Sequence, residues 1–425
     1  VSLVLGILPV SLLLLGFPIF LVLLTAVMAA LLLFMHIPLA VLHQTLFGAV
    51  NSYTLLAVPF FILTGELMGR GSVAQRLVNF VNAGVGTIQG GLGVTTVCSS
   101  ALFGAMSGLS AASVATIGRA MLPALLEAGY PLKFSAGLLT AMGAIDVVIP
   151  PSIPLLVYGT AAQQSVPRLY AAGLLPALLL TVLLCSYVVW FCRRNGIAAS
   201  GRFTFHHLWS ATLRGSTALG APLIIFGGIY GGVFTPTEAA AVACVYACLV
   251  PLLIYRELGW RDVFDCAEVT AVFTGQILVI VACAILFGWV LTVNQIPATL
   301  TAWLVGMHLP LWTLMLAINL LLLLVGSFMD GISAILLLSP LLVPLVTALG
   351  VDPVHFGIIF VVNLGIGLFH PPFGINIFVA QTVLRLPLDM IYRGIIPFVF
   401  LYLLGLAIIT YIPAVSLVGV QWLIH

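Results

Sequence analysis

The side chains able to do chemistry in this chain are few, and they cluster. "MSGLSAAS" (106–113) carries Ser107, Gly108, Ser110 and Ser113, and "GSFMDGIS" (326–333) carries Ser327, Met329, Asp330, Gly331 and Ser333. Each cluster is trailed by a proline pair in apolar surroundings. Pro150-Pro151 stands in "VVIPPSIPLL" (147–156) with Ser152 directly after it; Pro371-Pro372 stands in "LFHPPFGINIFV" (368–379), with His370 before it and Gly374 and Asn376 after it. Proline removes a backbone donor and breaks a helix. A break inside a membrane frees carbonyls at the end of one half-helix and amides at the start of the next, and these attract cations and anions respectively. Hydroxyl and carboxylate oxygens are ligands that hard cations take. The same Ser and Gly residues would also let helices pack closely in lipid. The two clusters together suit a site for an anionic solute coupled to a cation.

Composition places these clusters in a membrane. The 425 residues are 63% hydrophobic and only 6% charged, with mean hydropathy +1.29, where a soluble domain is about 25% charged. No Asp, Glu, Lys or Arg precedes Glu66. This is an all-α polytopic membrane protein. A net charge of +2 leaves no nucleic-acid footprint. The seven cysteines are scattered without a CxxC pair and read as small packing residues, with no transition-metal site. No phosphate-cradling G-x-x-x-x-G-K-[ST] occurs, so an ion gradient is the expected energy source and no cofactor is expected. The N-terminal run lacks a basic start and continues past residue 35, which favours two spans over a signal peptide.

At about 20 residues per span, spans are expected near 2–15, 17–35, 53–69, 169–191, 217–233, 236–255, 270–293, 297–308 and 394–415. The segment 37–50, with His43 and Gln44, is expected at the interface, followed after 69 by a polar stretch with Arg70 and Arg76. The connection 192–215 carries Arg193, Arg194, Arg202 and Arg214, reads as the joint between two halves, and is assigned to the cytoplasmic side. Residues 255–268 read as an amphipathic surface connection, and Thr235-Pro236 before Glu238 reads as a helix start.

The interrupted regions repeat. Gly129 follows Pro123 by six residues and Gly350 follows Pro344 by six; Pro150 follows Pro123 by 27 and Pro371 follows Pro344 by 27. Paired interrupted segments point to a transport site at a repeat interface. Each half therefore reads as a re-entrant hairpin (91–127 and 311–350, tips at 106–113 and 326–333) followed by a helix broken at its proline pair. Whether the repeats are parallel or inverted stays open at this level. Among intramembrane ionisable residues, Asp330 at a tip is the preferred functional one. Asp146, one turn before Pro150, and His370 either line the cavity or cap and pair. Arg119 either attracts an anionic substrate or pairs with Glu127 or a carbonyl, the structural role being preferred.

"LLAVPFFILTGELMGRG" (55–71), "FGAMSGLSAASVATIG" (103–118), "MLPALLEAGYP" (121–131), "IPPSIPLLVYG" (149–159), "GGVFTPTEAAAVACVYA" (231–247), "SFMDGISAILLLSPLLVPL" (327–345) and "PPFGINIFVA" (371–380) run in one order along nearly the whole chain. With them the chain resembles the large membrane subunit of the tripartite ATP-independent periplasmic (TRAP) transporters. The resemblance implies two inverted repeats and an elevator-type motion of a transport domain against a scaffold. It divides the chain into 1–90 (scaffold), 91–165 (transport repeat 1), 166–310 (scaffold), 311–387 (transport repeat 2) and 388–425 (C-terminal helix). It implies Na+-coupled uptake of an organic acid across the bacterial inner membrane, by a multi-pass permease that is not an enzyme. It further implies a periplasmic solute-binding protein and a small four-span membrane subunit; no four-span extension is seen here, so the latter is expected as a separate chain. Carried onto this sequence, the cation sites select Ser107, Gly108, Ser110, Pro150 and Ser152 in one half and Ser327, Met329, Asp330, Gly331 and Pro371 in the other. Ser113, Asp146, His370, Gly374 and Asn376 are the expected cavity residues. Relatives commonly carry small residues at Asp146 and His370, and the histidine raises a proton contribution as a further reading. The alternatives are a stand-alone cation-coupled anion transporter and, more remotely, an intramembrane aspartyl protease using Asp146 and Asp330, although "GAID" is not a GxGD context.

Overall fold

The polar clusters and the proline pairs fall where the chain turns. The computed structural model describes residues 2–35, 37–199 and 205–424; Arg202 of the polar connection lies outside them. Among the described residues the fold is all helix. It begins with α1 (Ser2–Leu14), α2 (Ile19–Phe34), α3 (Leu39–Val50), α4 (Ala57–Arg70) and α5 (Val73–Val85). Hairpin 1 follows as α6 (Gly91–Ser107) and α7 (Ser110–Glu127), then a broken helix as α8 (Leu132–Met142) and α9 (Ile153–Ala161). The middle of the chain forms α10 (Val166–Arg194), α11 (Phe205–Tyr230), α12 (Pro236–Leu249), α13 (Trp260–Val293) and α14 (Ile296–Gly306). Hairpin 2 is α15 (Leu311–Phe328) and α16 (Gly331–Ala348); the second broken helix is α17 (Pro353–Gly367) and α18 (Ile375–Val383). The chain closes with α19 (Leu388–Tyr411) and α20 (Ala414–Leu423). Among the described residues six helices are long and apolar enough to cross a membrane by length and composition, and 40–50 with 53–70 forms a seventh candidate bent by 50°.

The broken helices are the buried centre. All nine described residues from Phe134 to Met142 are buried, as is every residue of α17 from Val354 to Gly367. They are apolar on all sides because other helices, not lipid or water, surround them. α8 packs on α19, and each lets the other approach through glycine: a Cβ on Gly137 would stand 2.1 Å from the Gly394 carbonyl oxygen. α10 packs on α6, α9, α17, α19 and α20. A second group forms around α13, which packs on α2, α3, α4, α14 and α16.

The structure revises several expected elements. The polar stretch after Arg70 is the helix α5, whose Val73, Leu77, Val78 and Val81 are buried against α6 and α11; its apolar stripe is interleaved with polar residues and so escapes a hydropathy reading. The connection at 255–268 is largely helix, because α13 starts at Trp260 and runs 34 residues, roughly 50 Å, well beyond the hydrocarbon thickness. Its projecting end is held by Arg70 to Asp265 at 3.2 Å. Just before it, Glu257 accepts from Ser72 Oγ at 2.6 Å and Arg76 Nη2 at 3.1 Å. α14, at 11 residues, is too short to span, and α20 is an additional short helix. The expected helix start at Thr235 holds: its hydroxyl accepts from Glu238 N at 3.3 Å while Glu238 Oε2 accepts from Thr235 N at 2.8 Å, a reciprocal cap.

Candidate functional site

The two hairpin tips reverse by different means. α6 ends on Gly108 at φ +62°, a left-handed conformation that favours glycine, and α7 starts after Leu109 with no side-chain cap. α15 instead ends in extended Met329, and Asp330 caps α16 by accepting from Ser333 N at 2.9 Å.

The breaks are also closed locally. After α8 the chain tightens into a 3-10 turn, Gly143–Ile145, and Val148 N and Ile149 N both donate to the Ile145 carbonyl at 2.9 Å. Ser152 donates to the Val147 carbonyl and accepts from Leu155 N at 3.2 Å. Of the carbonyls that a break would free here, that of Val147 is therefore taken. The α-helix ends at Met142, and the Val147 carbonyl is already used by the serine that caps α9. In the second half Gly374 starts α18; a Cβ there would meet the Leu368 carbonyl oxygen at 2.5 Å, so only glycine fits. His370 Nδ1 lies 3.1 Å from Ser327 Oγ and 2.5 Å from the Pro371 carbonyl, linking hairpin 2 to the break. Both proline pairs are cis.

These parts enclose a cavity of about 440 Å³. Gly108, Leu109 and Ser110 come from tip 1, Asp330 and Gly331 from tip 2, Val147 and Pro154 from the first break, Leu368, Ile375 and Asn376 from the second. Ile62 and Glu66 of α4 and Val269 and Phe273 of α13 close it. Four helix N-termini, those of α7, α9, α16 and α18, thus border one space. Two of them, α7 and α18, have no side-chain cap; in α18 Asn376 N already donates to the Leu368 carbonyl and Ile377 N to the Gly374 carbonyl, both at 2.9 Å, so it is the first turn of α7 that offers open amides to a ligand. The lining is mostly apolar, and four side chains bring oxygen to it: Ser110, Asp330, Asn376 and Glu66.

Of the residues expected from sequence, Gly108, Ser110, Asp330, Gly331 and Asn376 meet at this cavity. Ser107 is buried against Gly65 of α4, and its hydroxyl accepts from Leu109 N at 3.4 Å. Pro150 and Ser152 sit behind the cavity wall toward α10, where a Cβ on Gly173 would lie 3.6 Å from Pro150. Ser327, Met329, Pro371, His370 and Gly374 build the turn and tip around it rather than its lining. Asp146 does not line it either. It is fully buried behind hairpin 1, where Ser100 Oγ donates to it at 3.2 Å and Gly104 leaves it room. Ser113 lies near the same carboxyl group outside hydrogen-bond geometry. Sequence reasoning missed Ser100 and Gly104, the Thr140 carbonyl that accepts from Asn376 at 3.2 Å, and the α13 wall; Val269 and Phe273 carry no signal beyond hydrophobicity.

Arg119 corrects another expectation. Among the described residues it has no ion pair or hydrogen bond, so the preferred structural pairing with Glu127 is not made. It lines a second, polar cavity of about 720 Å³ between α4 and α7, together with Arg70 and Thr116. That cavity shares Glu66, Ala112 and Ala115 with the first.

The pattern of tips, breaks and shared cavity has a counterpart among known proteins. The family model for the tripartite ATP-independent periplasmic transporter, DctM component, matches residues 6–415. The chain belongs to the DctM family. The C4-dicarboxylate TRAP transporter large permease DctM of Pseudomonas aeruginosa is 41% identical over 378 residues, 89% of this chain and 88% of that protein. The ectoine TRAP transporter large permease TeaC of Halomonas elongata is 36% identical over 412 residues, 96% of each. The isethionate TRAP transporter permease DctMQ of Oleidesulfovibrio alaskensis is 39% identical over 386 residues, 90% of this chain but 60% of that protein. In fold, the permease is similar to the Alcanivorax borkumensis YdaH transporter, with TM-score 0.64 at 15% identity over 87% of this chain and 86% of that one. It is similar also to Neisseria gonorrhoeae MtrF, with TM-score 0.53 at 14% identity over 95% and 94%. The permease is a multi-pass protein of the bacterial inner membrane, and the protease reading falls away with the family assignment.

Proposed function

We propose that the permease takes up an organic acid, such as a C4-dicarboxylate, a sialic acid or a similar carboxylate, coupled to Na+, receiving it from a periplasmic binding protein and acting with a small four-span subunit. The observation that carries this reading is the convergence of four helix N-termini and two acidic side chains on one cavity. The uncapped first-turn amides of α7 suit a substrate carboxylate, while Asp330, Ser110 and nearby carbonyls offer oxygen to a hard cation. Asp330 and Glu66 line a cavity that no Lys or Arg lines, Arg70 and Arg119 standing on the Glu66 side in the adjoining one. Bound cations would balance the two carboxylates, so an anion and a cation favour each other's binding, which is thermodynamic coupling. Arg119, which lines the adjoining cavity, would raise the local concentration of an anionic solute.

For the elevator motion we take the hairpins and broken helices as the moving body. The division drawn from sequence leaves α10 in the scaffold; its packing on α6, α9, α17, α19 and α20 supports grouping it with the moving body instead. Uptake by proteoliposomes holding the permease and its two partners should require an inward Na+ gradient and no ATP. Equal uptake without any ion gradient defeats the coupling, and full uptake without the binding protein defeats the tripartite reading.

A further inference from the structure

A third cavity, about 500 Å³, shares no residue with the other two. Its walls are Leu311, Trp312 and Met315 of α15, Asp352 and His355 at the start of α17, Thr410 and Tyr411 at the end of α19, and Leu417 of α20. Its lining pairs the acceptors Asp352 and His355 with the Thr410 and Tyr411 hydroxyls, and Tyr411 Oη already donates to the Trp312 carbonyl at 3.1 Å. Asp352 caps α17 through Oδ1, which accepts from Val354 N at 2.7 Å and His355 N at 3.3 Å, and among the described residues no donor reaches its other oxygen. The His355 ring is only 2% exposed, yet Nδ1 has no partner. With the ring proton on Nε2, Nδ1 is left as an acceptor. A buried polar atom without a partner calls for a ligand or a water, and no Lys or Arg lines this cavity. Its walls are held in place by a ladder: Asn363 donates to Asn319 at 2.8 Å and Asn319 donates to Thr410 at 3.1 Å, joining α17, α15 and α19.

The cavity lies where α15 and α17 begin and α19 ends, which puts it at one face of the membrane. Trp312 and Tyr411, 60% and 45% exposed, stand at its rim, with Leu311 beside them. Trp and Tyr at helix ends mark the headgroup level of a bilayer. The rim is thus apolar and lipid-facing, and the two unsatisfied groups inside, the second Asp352 oxygen and His355 Nδ1, suit a hydrogen-bond donor with positive charge.

We infer that this cavity holds the headgroup of a membrane phospholipid that carries a primary ammonium. The ammonium donates to Asp352 and His355 beside the Trp312 and Tyr411 rings, which favour a cation; the phosphate stays at the rim and the acyl chains lie against α15 and α20. One lipid would then tie the first arm of hairpin 2 to the C-terminal helices.

The test is thermal unfolding of the purified full-length permease in detergent, with phosphatidylethanolamine or phosphatidylglycerol of identical acyl chains added. Phosphatidylethanolamine should raise the unfolding temperature by several degrees more than phosphatidylglycerol. Asp352→Asn retains a capping side chain but removes the charge, and should abolish that difference; His355→Phe keeps the ring volume without Nδ1 and should reduce it. Equal stabilisation by the two lipids, or a headgroup preference that survives in both variants, overturns the proposal. Free ethanolamine reproducing the preference by itself overturns the lipid assignment in favour of a soluble amine.

Discussion

Asn376, in the second turn-to-helix junction, donates from Nδ2 to Ser110 Oγ at the first hairpin tip at 2.8 Å, across 266 residues of chain. The amide also reaches the Thr140 carbonyl at 3.2 Å. One side chain thus fastens tip 1, the first broken helix and the second broken helix together at the cavity wall. Asn376→Ala leaves Ser110 and Thr140 without that donor in a buried site. It should cost about 1–3 kcal/mol of stability and lower uptake more than the stability loss explains. Calorimetry and proteoliposome uptake on the same preparation separate the two effects; unchanged uptake would remove Asn376 from the substrate site.

Asp330 has two jobs that substitution can separate. Asn at this position still caps α16, so Asp330→Asn should change stability by only a few tenths of a kcal/mol, whereas Asp330→Ala should cost about 1 kcal/mol. If the charge serves the cation, both variants should raise the Na+ concentration for half-maximal uptake by about tenfold or more, a loss of about 1.4 kcal/mol. An Asn variant with normal Na+ dependence would leave Asp330 as a cap and nothing else.

Arg119→Gln should slow uptake of a doubly charged substrate several-fold at low ionic strength. The deficit should shrink as salt rises above about 0.15 M, where the screening length falls to about 8 Å. A deficit independent of salt would point to direct contact or to structure rather than steering.

Cys98 of α6 and Cys185 of α10 have their sulfurs 3.9 Å apart. A short thiol-specific cross-linker should join them. If α10 travels with hairpin 1, the linked permease keeps its uptake; if α10 stays with the scaffold, linkage stops it. Tryptic mapping confirms the link and the uptake assay reads the outcome.

Much of this was written in the sequence by composition and by two local rules. Long apolar runs with 6% charged residues require helices that satisfy their own backbone in lipid. Proline pairs and Gly/Ser clusters, repeated at equal spacing, located both breaks and both tips, because backbone reversal and helix interruption depend on a few adjacent residues. The start of α12 was equally legible, since its cap is made within four residues.

What only the tertiary structure decided is which oxygen atoms remain for a ligand. The repeat placed Asp146 and His370 alike, beside the prolines, yet Asp146 is buried under Ser100 behind hairpin 1 while His370 bridges to Ser327. Ser152 looked like a ligand and is a clasp on the Val147 carbonyl. Arg119 reads as a structural partner in the sequence and instead lines the second cavity. Hydrogen-bond partners are set by residues hundreds of positions away, as Ser110 and Asn376 are to each other, and no local pattern records them. The chain alone determined where the helices break; the packing of the two halves determined that the breaks and tips surround one cavity, and which of their polar groups still face it.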